Sequence, residues 1–255
     1  MYGLAARGVL RCASWHCYPW LAHGFSTRVT GDFLDWPADG DIAARFGEGP
    51  CGTAMLRQVH SRDYVRADRP WGPDRPAADA VLTDRPGVLV GVRTADCLPV
   101  LLADPRTRSV AAVHAGWRGA AAGVLPTAVN ALAVEYGARP AEIEAAIGPG
   151  IGVCCFEVGE EVAGRFSERF VDRQRVRPHV DLASALEAQL ARCGVARCET
   201  IRECTSCRLD RYFSHRAERG RTGRMLAVIG VRAKEEGRPN QSCGSRSSSQ
   251  ARARR

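Results

Sequence analysis

Hydrophobic positions fall into short, dense runs separated by clusters of Pro, Gly, Asp and Arg. Runs this short, bounded by such breakers, read as β-strands, because a helix needs about ten residues with a 3.6-residue repeat. On this basis strands are predicted at Ala80 to Thr83, Val88 to Thr94, Leu98 to Ala103, Ser109 to Ala115, Glu142 to Ile147, Cys198 to Glu203 and Met225 to Val231. A further short strand around Met55 to Val59 leads into His60, and HGFSTR, His23 to Arg28, reads as a strand end entering a loop. Three segments read as helices. Ala120 to Tyr136 is apolar and Ala-rich, with Pro126 placed to kink or restart it. Glu157 to Phe170 is the second. Val180 to Cys193 is the third, with Leu182, Leu186 and Leu190 recurring on one face. Residues 1–22 form a poorly patterned lead-in, and Asp32 to Pro50, rich in Gly, Asp and Pro, reads as a surface connection.

The stretch RTADCLPVLLADPRTRSVAAVHAGWR, Arg93 to Arg118, organises the rest. Two apolar runs flank DPRTR, which predicts a β-hairpin. Folding it about Arg106 sets Leu98 opposite His114 and brings Cys97 beside them at the open end. Facing residues have Cβ atoms about 4.5–5.5 Å apart, so a thiol and an imidazole converge there. That pairing suits a soft-metal site or a His-activated Cys nucleophile, and equally a buried Cys beside a hydrogen-bonded core His. A third ligand decides between them. His60 in RQVH is the candidate, read as sitting at a strand terminus like His114.

Composition narrows the classes. With 255 residues and 45% apolar content, the chain can form one large α/β domain or two small ones. No apolar run is long enough to span a bilayer. The formal charge of +8 suggests nucleic acid, but residues 232–255 hold Arg232, Lys234, Arg238, Arg246, Arg252, Arg254 and Arg255 against Glu235 and Glu236. That segment, Ser/Arg-rich and without periodicity, reads as a disordered basic tail of net +5, leaving +3 elsewhere. No basic stripe interleaved with aromatic residues appears, so nucleic-acid binding would rest on the tail alone. The 11 cysteines are odd in number, which argues against a disulfide framework and for a reducing cytoplasm.

His60 in RQVH, Cys97 in TADCLPV and His114 in VHAGWRG, together with IGPGIG, FEVGEEV and TGR, resemble the YfiH-type family, known as polyphenol oxidase or laccase-like and as multifunctional purine nucleoside enzymes. The resemblance covers roughly Gly24 to Val231. It implies an α/β (α+β) fold: one catalytic domain over 23–231, with a mixed β-sheet core flanked by helices in layers. It implies one zinc held by His60, Cys97 and His114, three ligands leaving a position for water or substrate. Copper is the alternative metal. The implied activities are phosphorolysis of adenosine, inosine or methylthioadenosine, with nucleoside and phosphate as small-molecule partners, and adenosine deamination through a zinc-activated water. Removal of wrong residues from cell-wall precursors and copper-dependent phenol oxidation are alternatives. The segment before RQVH is shorter than is usual in the family, and Gly150 stands where a Cys is common.

Phosphorolysis also needs an anion pocket. Arg57, Gln58, Arg118 and Arg216 are the substrate-contact candidates, each Arg equally readable as a surface ion pair. Asp79 and Asp96 are candidates for acid–base chemistry, but read more readily as structural hydrogen-bonding groups. Trp117 either stacks a base or packs in the core. Cys204 and Cys207 form a single CxxC and read as loop thiols, while adjacent Cys154 and Cys155 are not expected to face one metal together. His16, His23, His179 and His215 show no ligand spacing, which counts against a multicopper cluster.

Overall fold

The computed structural model describes residues 2–4, 6–35, 39–49, 51–71 and 75–233. Its strands in chain order are β1 (Tyr2–Leu4), β2 (Leu10–Cys12), β3 (Leu21–Phe25), β4 (Gly52–Met55), β5 (Tyr64–Arg66), β6 (Ala80–Thr83), β7 (Val88–Thr94), β8 (Leu98–Asp104), β9 (Ser109–Ala115), β10 (Glu144–Ile147), β11 (Val171–Asp172), β12 (His179–Val180), β13 (Arg197–Thr200) and β14 (Met225–Val231). The helices are α1 (Asp39–Arg45), α2 (Trp117–Ala122), α3 (Val124–Tyr136), α4 (Glu160–Ala163) and α5 (Leu182–Arg192). One six-stranded sheet has the order β1-β2-β3-β14-β7-β4 and a second the order β13-β10-β8-β9-β6-β5; β11 and β12 pair separately. Both large sheets mix parallel and antiparallel neighbours.

Period-2 alternation in the central strands builds the layers. In β8, Leu101 and Ala103 face the first sheet, where they meet Val90, Val92, Ala227 and Ile229. Leu98, Val100 and Leu102 face the other way, onto Leu125, Ala128 and Leu132 of α3 and Leu186 and Leu190 of α5. Across the outer face of the first sheet, Met55, Leu226 and Val228 pack on Ile42 and Phe46 at α1. The order is therefore helix, sheet, sheet, helices. Strands buried on both faces read as continuous apolar runs, which is why β6, β7, β9 and β14 keep their predicted bounds. Each fully buried Val or Leu there contributes about 1.5–3 kcal/mol relative to exposure, so the centre is the rigid platform of the molecule.

Several expectations are corrected. The hairpin register is one residue off: Pro99, not Leu98, lies opposite His114. Its loop holds four residues, Pro105 to Arg108, and the Asp104 carboxylate accepts from the Arg106 and Thr107 amides. An even loop has no central residue, so the fold axis falls between Arg106 and Thr107. Residues 2–20 are not unpatterned: β1 and β2 join the first sheet, and buried Trp15 donates through Nε1 to Glu144 of the second sheet. The surface connection from 32 contains α1. Glu157 to Phe170 is not one helix: it holds the short α4 and a separate 3₁₀ turn at Glu168–Phe170. Ala120 to Tyr136 is indeed broken, at Gly123 (φ 87°), and Pro126 sits in the first turn of α3, where its missing N–H is not needed. Arg232, counted with the basic tail, pairs with Glu48. The rest of that segment, from 234 onward, lies outside the described residues.

Candidate metal centre

Three connections converge at one end of the second sheet. Cys97 immediately precedes β8, His114 is the penultimate residue of β9, and His60 lies in the loop between β4 and β5. The expectation that His60 ends a strand is corrected: β4 stops at Met55, a single bridge joins Arg57 to Ala77, and His60 takes a left-handed backbone conformation, φ 60°. A non-glycine residue held there costs of order 1–3 kcal/mol and persists only where its surroundings impose it. Asp79 imposes it. One of its carboxylate oxygens accepts from the amides of Val59 (3.2 Å) and Ser61 (2.6 Å), on either side of His60. The other accepts from His114 Nδ1 at 2.7 Å. One buried carboxylate thus fixes the loop carrying one imidazole and orients the other, leaving His114 Nε2 turned to the site.

The ligand atoms of His60, Cys97 and His114 all lie within 4.8 Å of one another, and the two imidazole rings meet edge to face at 4.9 Å. Gly116 keeps this space clear: a Cβ there would lie 2.9 Å from Cys97 Sγ and 3.1 Å from His60 Cδ2. Burial works to raise the Cys97 thiol, but the bonds and charge of His114 and His60 outweigh it and bring it down to about 6. Burial works to lower His114, but Asp79 and then Cys97 hold it up to about 9. A thiol poised to ionise between two imidazoles, one backed by a carboxylate, fits the demands of a metal-ligand set. Two nitrogens and one sulfur suit zinc. Among the described residues no methionine lines the site, the usual axial ligand of a blue-copper centre.

The centre opens onto a cavity of ≈ 690 Å³. All the substrate-contact candidates reach it: Arg57, Gln58, Arg118 and Arg216 line its wall, as do Trp117, Phe156 and His215. Their roles separate. Gln58 is committed to the fold, its amide donating to the Arg93 carbonyl and accepting from the Arg93 amide. Arg216 bonds the carbonyls of Cys155 and Glu157 and lies over the Phe156 ring. Arg57 and Arg118 form no ion pair among the described residues, and Arg118 stacks over Trp117 at 4.4 Å. The surface ion-pair reading therefore does not hold for these arginines. Arg93 and Arg224 line the cavity too and were not singled out from sequence, although Arg93 opens RTADC and Arg224 closes TGR. The buried carboxylate of Asp96 (φ 87°) accepts from Thr205, Ser214 and the Arg216 amide, so it is a structural hydrogen-bonding group as expected. His23 and His179 are engaged elsewhere, with Cys12 N and Val153 O.

Fold and site together define a two-sheet α+β domain with a Cys/His ligand set at the mouth of an arginine-lined cavity. The chain belongs to the family described as multi-copper polyphenol oxidoreductase laccase, whose model matches residues 40–232. It is 40% identical over 200 residues to a purine nucleoside phosphorylase of Deinococcus radiodurans, covering 76% of each chain. Among solved structures, YfiH of Bacillus licheniformis superposes with a TM-score of 0.81 at 27% identity, over 91% of this chain and 99% of that one. YlmD of Geobacillus stearothermophilus gives 0.80 at 30% identity, over 91% and 98%. Among the described residues, no helix is long and apolar enough to cross a membrane.

Proposed function

We propose that the chain is a metal-dependent purine nucleoside phosphorylase whose centre is His60, Cys97 and His114, with zinc as the metal. The observation that carries this reading is the opening of that ligand set and five guanidiniums, from Arg57, Arg93, Arg118, Arg216 and Arg224, onto one cavity. The names of the family's curated relatives point the same way. When bound, the ion supplies a Lewis acid with an open coordination position.

The chain's own residues do the rest. Arg57 and Arg118, unpaired by any described acid, grip the phosphate, whose negative charge is opposite to theirs. Trp117 and Phe156, each with one ring face toward a guanidinium, give the cavity wall the apolar surface a purine would pack on. His114 is held in one tautomer by Asp79, and the Gly116 approach keeps His60 and Cys97 in register. A phosphate oxygen then forms the bond to C1′ of the ribose. The C1′–N9 bond breaks with its electron pair passing to the purine, and the proton of hydrogen phosphate ends on the released base. Proximity in an arginine-lined cavity supplies much of the acceleration.

A multicopper oxidase reading is disfavoured because, among the described residues, only His60 and His114 share a ligand cluster. The test is product analysis of metal-loaded protein with adenosine, inosine and methylthioadenosine, with and without phosphate. Free base and sugar 1-phosphate, formed only with phosphate, support the proposal. Ammonia release without phosphate dependence points to deamination instead, and no turnover of any nucleoside overturns it.

A further inference from the structure

A second cluster of ligand atoms lies outside the centre. Cys154 and Cys155, in the loop after β10, meet Cys204 and Cys207, in the loop after β13. The expectation that adjacent Cys154 and Cys155 do not face one metal together is corrected: all four sulfurs lie within 4.8 Å of one another. The Cys154–Cys207 and Cys155–Cys207 separations are 3.5 and 3.3 Å. These are far beyond a disulfide bond of about 2.05 Å. They approach the edge of a tetrahedron of thiolates about 2.3 Å from a central zinc, roughly 3.8 Å.

The surroundings fit a tetrathiolate. The Cys204–Cys207 segment makes a tight turn, with the amides of Cys207 and Arg208 both donating to the Cys204 carbonyl. The Gly152 amide donates to Cys204 Sγ at 3.2 Å, a bond that stabilises a sulfur carrying negative charge. The backbone at Gly152 runs close under the cluster: a Cβ there would lie 3.2 Å from both Cys154 Sγ and Cys204 Cβ, a tight contact that a larger residue would have to relieve by a small shift. Guanidiniums of Arg175 and Arg216 donate to the carbonyls of Cys154 and Cys155, placing positive charge beside a site that would be net negative.

We propose that Cys154, Cys155, Cys204 and Cys207 form a second metal site, a closed tetrahedral zinc site with four protein ligands. Four thiols lose their protons on binding, and no coordination position stays open, so this site is structural. It staples two loops that both reach the cavity. Ile151 and Phe156 line the wall from one loop, and Thr205 of the other donates to Asp96, next to Cys97. The staple therefore holds the cavity floor against the first centre.

Zinc per chain is measured in the full chain, purified under reducing conditions, for the wild type, Cys97→Ser and the Cys154→Ser/Cys207→Ser double variant. The expected values are about two, about one and about one. Cobalt substituted into Cys97→Ser should give an intense sulfur-to-cobalt charge-transfer band, since all its thiolates come from the cluster. If the double variant does not fold, Cys97→Ser decides alone, because it disables only the first centre. A metal-free Cys97→Ser, iron in place of zinc, or a double variant that keeps two zincs overturns the proposal. None of these outcomes depends on nucleoside turnover, so the two proposals fail separately.

Discussion

Replacing Asp79 by Asn changes one oxygen to NH₂ in a fully buried side chain, with no change of size. Asp79 uses both oxygens as acceptors, one for His114 Nδ1 and one for the Val59 and Ser61 amides. Asn has one acceptor and one donor end, so either orientation fails. With its amide toward His114, Nδ1 must accept, the proton moves to Nε2, and the nitrogen facing the site is blocked. With its amide toward the loop, a donor faces two donors and the restraint on His60 is lost. A buried donor left unsatisfied costs about 1–3 kcal/mol, and changes to groups that orient a metal-bound His lower affinity by about 10–100-fold. We therefore expect Asp79→Asn to weaken zinc binding at the first centre by about 10–100-fold. It should also destabilise the metal-free protein by about 1–3 kcal/mol. Competition with a chelating dye, in the double variant lacking Cys154 and Cys207, reads the first; urea unfolding reads the second. Zinc affinity within twofold of the parent would refute the role assigned to Asp79.

Gly116→Ala should push Cys97 and His60 apart and weaken zinc binding by about tenfold, the scale seen when residues around a metal site are altered; equilibrium dialysis showing unchanged affinity would contradict this. In the metal-free protein Cys97 is held down to about 6, so its alkylation, followed by peptide mass mapping, should rise through pH 6 and level off, whereas an ordinary thiol keeps gaining reactivity toward 9. Stability should respond less. The lowered Cys97 contributes stability that grows as pH rises from about 6 to about 9, while the raised His114 loses its contribution as pH rises from 6.5 to about 9, so the two oppose one another and the metal-free melting temperature stays level across that window.

Burial and loop parity explain which features the sequence displayed. Strands β6, β7, β9 and β14 are buried on both faces, so each is a largely apolar run flanked by polar residues or Gly, and its limits are visible in one dimension. The hairpin register depends on whether the loop holds an odd or even number of residues, which DPRTR does not declare. The strands β1 and β2 are three residues each, too short for any period to show. Helix α1 lies among Gly, Asp and Pro, yet Ile42 and Phe46 are spaced one turn apart and both are buried. Within the site, the three ligand candidates were legible because each ends a patterned run or follows one. The way Asp79 couples His60 to His114 was not, since it requires β6 beside β9. The four-cysteine cluster was hidden for the same reason: it needs two loops some fifty residues apart to pair through Gly150 and Cys204.

On the proposed function, an open, three-ligand metal centre performs nucleoside phosphorolysis. His60 tests it most directly, because its side chain is exposed and its loss should leave the fold intact. Phosphate-dependent base release and thermal unfolding are measured together on His60→Ala and the parent protein. Turnover is expected to fall by at least about a hundredfold with a melting temperature within a few degrees of the parent, in line with the loss of an interaction used in the transition state and not in folding. Turnover retained in His60→Ala would contradict it, and so would a collapse of the melting temperature in step with activity, which is the behaviour of a structural site.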